Sequence, residues 1–325
     1  MTRLLLLLTA LAMDATAGGA TYQAPRTEQG RPDLHGVWNY SSDVPLERPK
    51  ELADRTHVTR EERAQQNTAR EANLDRLLAI GVGLHDKFWL DYVAQLEDLR
   101  TSLVDYPTNG RLPKLVAGVQ RIGGFAAAMN DIPGTLPVRF FAGGIGKDGP
   151  EERGLFERCL AAPNTGPPIT PGGDNNYLQI VQTRDFVMVL TEHIHDARII
   201  PLDGRPHLPD TIRSWNGDAR GHWEGESLVV ETTNFSDRTQ SFNDTGVGSA
   251  KVVTERFTRV ADTTLHYEAT IVDAGTYQDK IVLSFPMARF DGPVYEFACH
   301  ENNYSMSMIL SGARTADLEG TKAKQ

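Results

Sequence analysis

The hydrophobic pattern in the second half of the chain is that of short β-strands. From residue 177 onward, apolar runs rich in β-branched and aromatic residues recur, and an Asp or Asn follows each of them within two residues. The runs are YLQIVQT (177–183), FVMVLTEHIH (186–195), ARIIPL (197–202), SLVVETTNF (227–235), VVTERFTRV (252–260), TLHYEATIV (264–272), IVLSFPMAR (281–289) and VYEFACH (294–300). This spacing predicts a mainly β protein, an antiparallel meander that hides its edges by closing into a barrel or a strongly curved sheet.

The first half of the chain gives fewer strand signals. LHGVWNY (34–40) and RTSLVDY (100–106) read as strands, and the Gly-x-Trp start at residues 36–38 is similar to that of lipocalins. A lipocalin-like architecture is therefore one form of the expected barrel. Residues 59–62 (TREE) have the spacing of a capping box, and residues 61–80 are rich in helix-forming side chains, so we expect a helical N-terminal segment.

The domain organisation follows from the lack of a low-complexity linker in the sequence. We expect a single mainly β domain over residues 21–325, with helical or loop decoration at about 57–100 and 115–175. Within the second decorated region, PNTGPPITPGG (163–173) is too rich in Pro and Gly to form regular structure.

The first 20 residues have the pattern of a signal peptide. Arg3 precedes the apolar stretch 4–13, and the small residues 15–17 follow it. No later stretch approaches the roughly 20 consecutive apolar residues that a membrane helix needs. We therefore expect a periplasmic or secreted protein without membrane insertion.

Export gives the two cysteines a specific meaning. Cys159 and Cys299 are the only cysteines, and an oxidising compartment lets a disulfide form between them. Two buried free thiols are the alternative. A bridge closing so long a loop contributes roughly 4 to 5 kcal/mol in the loop-entropy description.

The charge of the chain limits the partners. The formal net charge is −10 at pH 7, whereas nucleic acids and anionic membranes attract basic surfaces. The sequence also lacks a Walker loop and a Gly-x-Ser-x-Gly elbow. A small molecule or a carbohydrate is the expected partner, and the pattern does not indicate the oligomeric state.

The segment HIHDAR (193–198) carries the most candidate chemistry. In an extended strand His193 and His195 share one face, and Asp196 and Arg198 share the other. A histidine base, an orienting carboxylate and a cation that neutralises developing charge are the parts of acid/base catalysis. We expect a lyase, isomerase or hydratase that needs no cofactor, with these catalytic residues: His193, His195, Asp196, Arg198 and, as a second proton donor, Tyr304.

A second group of polar and aromatic residues is expected to bind the substrate. Trp215 stacks on a sugar ring or caps the barrel, and Glu231 and Asn234 face the lumen. His300, like Tyr304, follows the expected disulfide, which would hold it rigidly. The full set of candidate binding residues is Trp215, Trp223, Glu231, Asn234, His300 and Arg158.

Three alternatives stay open at this point. The first is a metalloenzyme, since His193 and His195 on one strand face, with His300 as third ligand, suit a metal ion. The second is a binding or carrier protein without catalysis. The third is that Asp196 and Arg198 form a surface ion pair, which stabilises a protein by less than about 1 kcal/mol.

Longer segments resemble a family of exported bacterial proteins of uncharacterised function. The resemblance rests on RTSLVDYPTNGRLP (100–113), ERCL (157–160), NNYLQIVQT (175–183), TEHIHDARIIPLDGRPHLP (191–209), GHWEGESLVVETTNF (221–235) and YEFACHENNYSMSMILSGAR (295–314). It implies export but no activity, so the chemistry has to come from the residues themselves.

Overall fold

The protein is mainly β, with one antiparallel sheet and two helices in the part that the structure describes. The computed structural model describes residues 22–79, 94–121, 134, 136–140, 143–301 and 303–322; the expected signal peptide lies outside them. The strands are β1 (Gly36–Asn39), β2 (Val104–Tyr106), β3 (Tyr177–Gln182), β4 (Phe186–Thr191), β5 (Ala197–Pro201), β6 (Asp218–Glu224), β7 (Ser227–Thr233), β8 (Val252–Ala261), β9 (Thr264–Val272) and β10 (Ile281–Phe290). The helices are α1 (Arg60–Ala79) and α2 (Tyr304–Lys322).

The ten-stranded sheet joins two meanders through the first strand. Its order is β5-β4-β3-β1-β10-β9-β8-β7-β6, and β2 pairs with β10 beside this path. Strands β3, β4 and β5 pair in succession as antiparallel hairpins, as do β6 to β10, and β1 joins the two groups. There Trp38 lies opposite Leu178 of β3 on one side and Arg289 of β10 on the other.

The expected barrel is not closed. Strands β5 and β6 are the two edges, and no ladder of hydrogen bonds joins them among the described residues. The edges nevertheless come together through side chains: a Cβ atom at Gly221 of β6 would lie 2.7 Å from Ile200 Cγ2 of β5. The sheet is therefore strongly curved but open, and the lipocalin-like closed barrel was a wrong expectation.

Alternation along the long strands builds the core. Val253, Glu255 and Phe257 of β8 are buried, and the residues between them are half-buried. Strands β9 and β10 repeat the pattern with Tyr267 and Phe285 on the inner face. Each large apolar side chain contributes about 1.5–3 kcal/mol on full burial. The inner face also takes in polar groups, the carboxylate of Glu255 and the hydroxyl of Tyr267.

Helix α1 forms where helix-forming residues follow the capping box. Glu62 N–H donates to Thr59 Oγ1 (3.1 Å) and Thr59 N–H donates to Glu62 Oε2 (2.8 Å), which satisfies two free N–H groups at the start of the helix. The structure does not support the expectation of a helical N-terminal segment, because strand β1 in the middle of the sheet precedes α1 in the chain. Helix α2 at the C-terminal end was not expected.

The Pro/Gly segment 163–173 covers one end of the curved sheet. Ile169 in its middle is fully buried, and its N–H donates to the hydroxyl of Tyr267 (2.8 Å) on β9. The loop is thereby anchored to the inner face, and it forms one wall of the cavity described next.

Candidate functional site

Residues 193–196 of the HIHDAR segment lie in a hairpin loop, and Ala197 and Arg198 begin β5, so the expected single extended strand was wrong. Strand β4 ends at Thr191, whose N–H donates to the carbonyl of Asp196 (2.9 Å) and closes the loop to β5. Ile194 and His195 take left-handed backbone angles, with φ of 62° and 45°. Since alternation applies only to an extended chain, the two histidines do not share a strand face.

His193 is packed between aromatic rings. It is 4 % exposed, and its ring centroid lies 5.0 Å from that of Phe156 and 4.7 Å from that of Phe297. Its Nδ1 is 2.6 Å from Asn164 Oδ1. Asn164 Nδ2 donates to the carbonyl of Asp174, which fixes the amide orientation, so His193 carries its proton on Nδ1 in this contact.

The other two expected proton carriers lie at the surface. His195 is exposed, and its Nδ1 is 3.1 Å from the carbonyl oxygen of Phe297, the residue whose ring contacts His193. Tyr304 begins helix α2 and is 69 % exposed. Phe297 thus brings the two histidines close together, whereas no described hydrogen bond joins Tyr304 to either of them.

Asp196 and Arg198 are not a surface ion pair. Asp196 Oδ2 accepts a hydrogen bond from Asn216 Nδ2, and burial raises the pKa of this carboxyl. Arg198 is buried and donates from its two terminal nitrogens to Glu255 (2.6 and 3.1 Å). The Tyr267 hydroxyl donates to the same carboxylate (2.9 Å). Sequence reasoning missed Glu255; its signal was a carboxylate at an inward position of the alternating run 252–260.

The disulfide is present as expected. Cys159 and Cys299 are bonded, with their Cα atoms 5.7 Å apart. The bridge holds the C-terminal segment against the loop around the half-buried Arg158. There Asn303 Nδ2 also donates to the carbonyl of Glu157 (2.8 Å).

The expected binding residues on β6 and β7 do not face a common lumen. Trp223 packs against the main core, whereas Glu231 is exposed, with Oε1 3.3 Å from His207 Nε2. Asn234 has left their strand with φ of 57°, and its Nδ2 donates to the carbonyl of Leu208 (2.8 Å). The lumen position expected for Glu231 and Asn234 was therefore wrong. His300 is also exposed.

Trp215 is the expected binding residue that does line a cavity. This cavity, of about 240 Å³, is hereafter the Lys251 cavity. Half of the residues in its walls are aromatic or proline: Phe140, Pro163, Pro167, Pro168, Pro171, Trp215 and Phe242. The polar residues in the walls are Thr170, Ser241, Asn243, Asp244 and Lys251. Pockets for drug-sized ligands measure roughly 300–1,000 Å³, so the space suits a smaller molecule.

The amine of Lys251 is the buried cation of this cavity. Lys251 is 6 % exposed, and its Nζ lies 4.1 Å from the centroid of the Phe235 ring and 3.5 Å from the carbonyl oxygen of Pro167. Burial lowers the pKa of Lys251 to about 8, against the opposing effect of Asp273 and Glu255. The amine therefore holds its proton less tightly than an exposed lysine does.

Asp244 lines the same cavity, with its pKa shifted the opposite way. Burial raises the pKa of this carboxyl, and the positive charges of Arg139 and Arg121 act against the rise. A carboxyl with a raised pKa and an amine with a lowered pKa both move toward neutral pH, the range in which side chains exchange protons readily. Neither Lys251 nor Asp244 belonged to a recognisable motif.

A second cavity, of about 260 Å³, lies beside α1 and is a weaker candidate. Its two guanidinium groups are already bound to the main chain. Arg63 donates to the carbonyls of Asp43 and Arg100, and Arg70 donates to that of Asp43. These contacts tie the segments around Asp43 and Arg100 to α1, so both guanidinium groups already have hydrogen-bond acceptors within the protein.

The metal alternative has no geometric support in the described part of the chain. No group of three or more His, Cys, Asp or Glu side chains is placed there to hold an ion, and this includes His193, His195 and His300. Among the same residues, no helix has the length and apolar character needed to cross a membrane.

Comparison with known proteins gives no relative. No protein-family model matches the chain, and neither the curated proteins nor the solved structures contain a significant match. The resemblance to exported bacterial proteins thus stays a prediction, as does the periplasmic or secreted location.

Proposed function

We propose that the protein binds a small organic molecule in the Lys251 cavity. The observation that carries the proposal is the combination of an aromatic and proline-rich wall with a buried amine. Such a wall stabilises an apolar or ring-shaped body, and a few placed polar groups fix the orientation of a ligand. Trp215 supplies a flat face suited to an aromatic ring or a sugar.

The charge of Lys251 limits the polar end of the ligand. In its protonated form Nζ offers three N–H donors, and the described structure gives it one long contact, 3.5 Å to Pro167 O. A buried cation is stabilised by a partner that accepts hydrogen bonds. We therefore expect the ligand to present a carboxylate or a carbonyl oxygen to this amine.

The exported location fits this function and remains part of the proposal. The disulfide between Cys159 and Cys299 persists in an oxidising compartment, as found outside the cytosol. A periplasmic or secreted protein with a small cavity of this kind suits a binding or carrier role.

Acid/base catalysis in the same cavity is the second candidate function. The opposite pKa shifts of Lys251 and Asp244 favour it, since such a pair suits an acid and a base working near neutral pH. This places the expected lyase, isomerase or hydratase chemistry on residues other than His193, His195 and Tyr304.

The binding proposal is tested by filling the cavity. Thr170 lies in its wall, so Thr170→Trp should occupy the space that a ligand needs. Isothermal titration with benzoate and with benzyl alcohol should show binding to the wild type that weakens by at least about tenfold in this variant. Thr211→Trp, at an exposed loop position, is the matched control and should bind like the wild type.

Two results would count against it. One is that neither benzoate nor benzyl alcohol binds the wild type, and the other is that T170W and T211W bind equally well. Circular dichroism and the thermal midpoint of each variant establish that the fold is retained.

A further inference from the structure

We propose that Lys251 is a nucleophilic amine that holds an aldehyde or ketone ligand as an imine. The inference rests on the proposed binding function and names the substrate class of that site. It is carried by the position of Nζ, which is buried in the wall of a cavity and lies against an aromatic ring and a main-chain carbonyl.

The amine is not held by an ion pair in the described structure. The nearby carboxylates that act on it are Asp273 and Glu255, yet no carboxylate oxygen of the described chain lies within 4.0 Å of its Nζ. Glu255 already accepts from Arg198 and Tyr267. An ion pair with a carboxylate would stabilise the protonated form of Lys251. Because there is none within 4.0 Å in the described structure, burial favours the neutral amine, which is the form that attacks a carbonyl carbon.

The lowered pKa makes the neutral form of Lys251 far more populated at pH 7.5 than that of an ordinary lysine. With a pKa of about 8 for Lys251, about a quarter of the molecules carry the neutral amine at pH 7.5, whereas an ordinary lysine with pKa near 10.4 is almost wholly protonated. The carboxylates facing the amine, Asp273 and Glu255, oppose this shift, and Asp244 lines the same cavity.

The reaction needs no oxidant, reductant or cofactor. Nζ adds to the carbonyl carbon, a C–N bond forms, the carbonyl π bond breaks, and the proton lost from nitrogen ends on the oxygen. The carbinolamine then loses water, so that amine and aldehyde give one imine and one water molecule. Asp244 in the same cavity is suited to protonate the departing hydroxyl, because burial raises the pKa of its carboxyl.

The surroundings favour the imine once it has formed. The Phe235 ring under Nζ is 1 % exposed, and Pro167 and Pro168 are buried beside it. Hydrolysis of an imine requires water at its carbon, and the buried side chains of Phe235, Pro167 and Pro168 limit that access on their side of Nζ.

The structure also offers a matched control lysine. Lys280 Nζ lies 5.4 Å from the centroid of the Tyr106 ring, so it shares the aromatic contact, but it is exposed and lines no described cavity. A difference in reactivity between the two lysines therefore reports the cavity, not the ring contact.

The test is reductive trapping with benzaldehyde and cyanoborohydride at pH 7.5, followed by peptide mapping. One benzyl group should appear at Lys251 at least about tenfold faster than at Lys280, and Lys251→Arg should lose that label while Lys280→Arg keeps it.

Equal labelling of the two lysines would overturn the proposal, and the wild-type map decides this even where a variant does not fold. Benzyl alcohol separates this failure from that of the binding function, since it has no carbonyl carbon. Binding of benzyl alcohol without preferential labelling refutes the imine alone. If benzyl alcohol and benzoate do not bind and Lys251 is not labelled, both proposals fall.

Discussion

Arg198 on β5 and Glu255 on β8 form a bidentate ion pair inside the curved sheet, with N–O distances of 2.6 and 3.1 Å. Strand β5 is one edge of the sheet and β8 is the third strand from the other edge, so the pair joins strands that are not neighbours in the sheet. Tyr267 adds a hydroxyl donor to the same carboxylate. Arg198, which the sequence suggested as a member of a surface ion pair with Asp196, therefore belongs to a buried network with Glu255 and Tyr267.

Breaking this ion pair from one side should be costly. Arg198→Met leaves the Glu255 carboxylate buried without its cation, which is expected to lower the free energy of unfolding by about 3–5 kcal/mol. Replacing both residues by Met should recover most of the loss, because no unpaired charge remains. Urea unfolding at pH 7 measures each variant.

The control for this prediction is an exposed ion pair that includes Arg256, the residue that follows Glu255 on β8. Arg256 contacts Glu224 at the surface, and Arg256→Met should change the unfolding free energy by less than about 1 kcal/mol. A loss from R198M no larger than that from R256M would contradict the account of a buried network.

Lys251 should make stability depend on pH in a definite direction. The pKa of Lys251 is lowered to about 8 in the folded protein, so between pH 8 and about 10.4 the unfolded chain binds more protons at this residue. The stability of the wild type relative to Lys251→Met should therefore rise with pH through this window, and K251M should be the more stable form at pH 7.

Chemical unfolding of wild type and K251M at pH 7 and pH 10 checks this, because every other titrating group cancels in the difference. Lys280→Met, at the exposed lysine, should show no such pH dependence. A difference between wild type and K251M that stays constant with pH would show that the amine of Lys251 titrates normally.

The disulfide should stabilise the fold through its long loop. Cys159 and Cys299 are 140 residues apart in sequence, and the loop-entropy description assigns roughly 4–5 kcal/mol to a closure of that length. The double variant C159S/C299S should unfold at clearly lower urea concentration. An unchanged midpoint would mean that the C-terminal segment is held by its other contacts.

Replacing His193 and replacing His195 should change the free energy of unfolding by different amounts. His193→Ala removes a buried ring between Phe156 and Phe297, so we expect a loss of about 1–3 kcal/mol in the free energy of unfolding. His195→Ala, at an exposed position, should stay within about 0.5 kcal/mol. If H195A loses ligand affinity without losing stability, the ligand binds at the HIHDAR segment and not in the Lys251 cavity.

Local patterns predicted most of the strands, but the expected strand at 294–300 is not present, and β6 (Asp218–Glu224) was not expected. The alternation in 252–260 and 264–272 identifies β8 and β9, and the capping box identifies the start of α1, because each signal lies within a few residues of the element. Closure of the sheet was not predictable in this way, since it depends on whether two edges distant in sequence, β5 and β6, exchange hydrogen bonds.

The site was harder to predict for two physical reasons. The left-handed angles at Ile194 and His195 turn the chain where an extended strand was expected, and a β-branched residue such as Ile194 rarely adopts such angles. The Lys251 cavity is assembled from separate segments around residues 163–171, 215, 242–244 and 251, so only the fold brings them together. Trp215 was found because a large aromatic residue in a turn is noticeable on its own.

The most direct test of the central claim is a crystal structure of the complex with 4-bromobenzoate, located by the anomalous signal of bromine. We predict one bromine peak inside the Lys251 cavity, with the ring against Trp215 or Phe242 and the carboxylate toward Lys251 Nζ. A bromine peak elsewhere, or a cavity that stays closed to the ligand in crystals that take it up, would contradict the account.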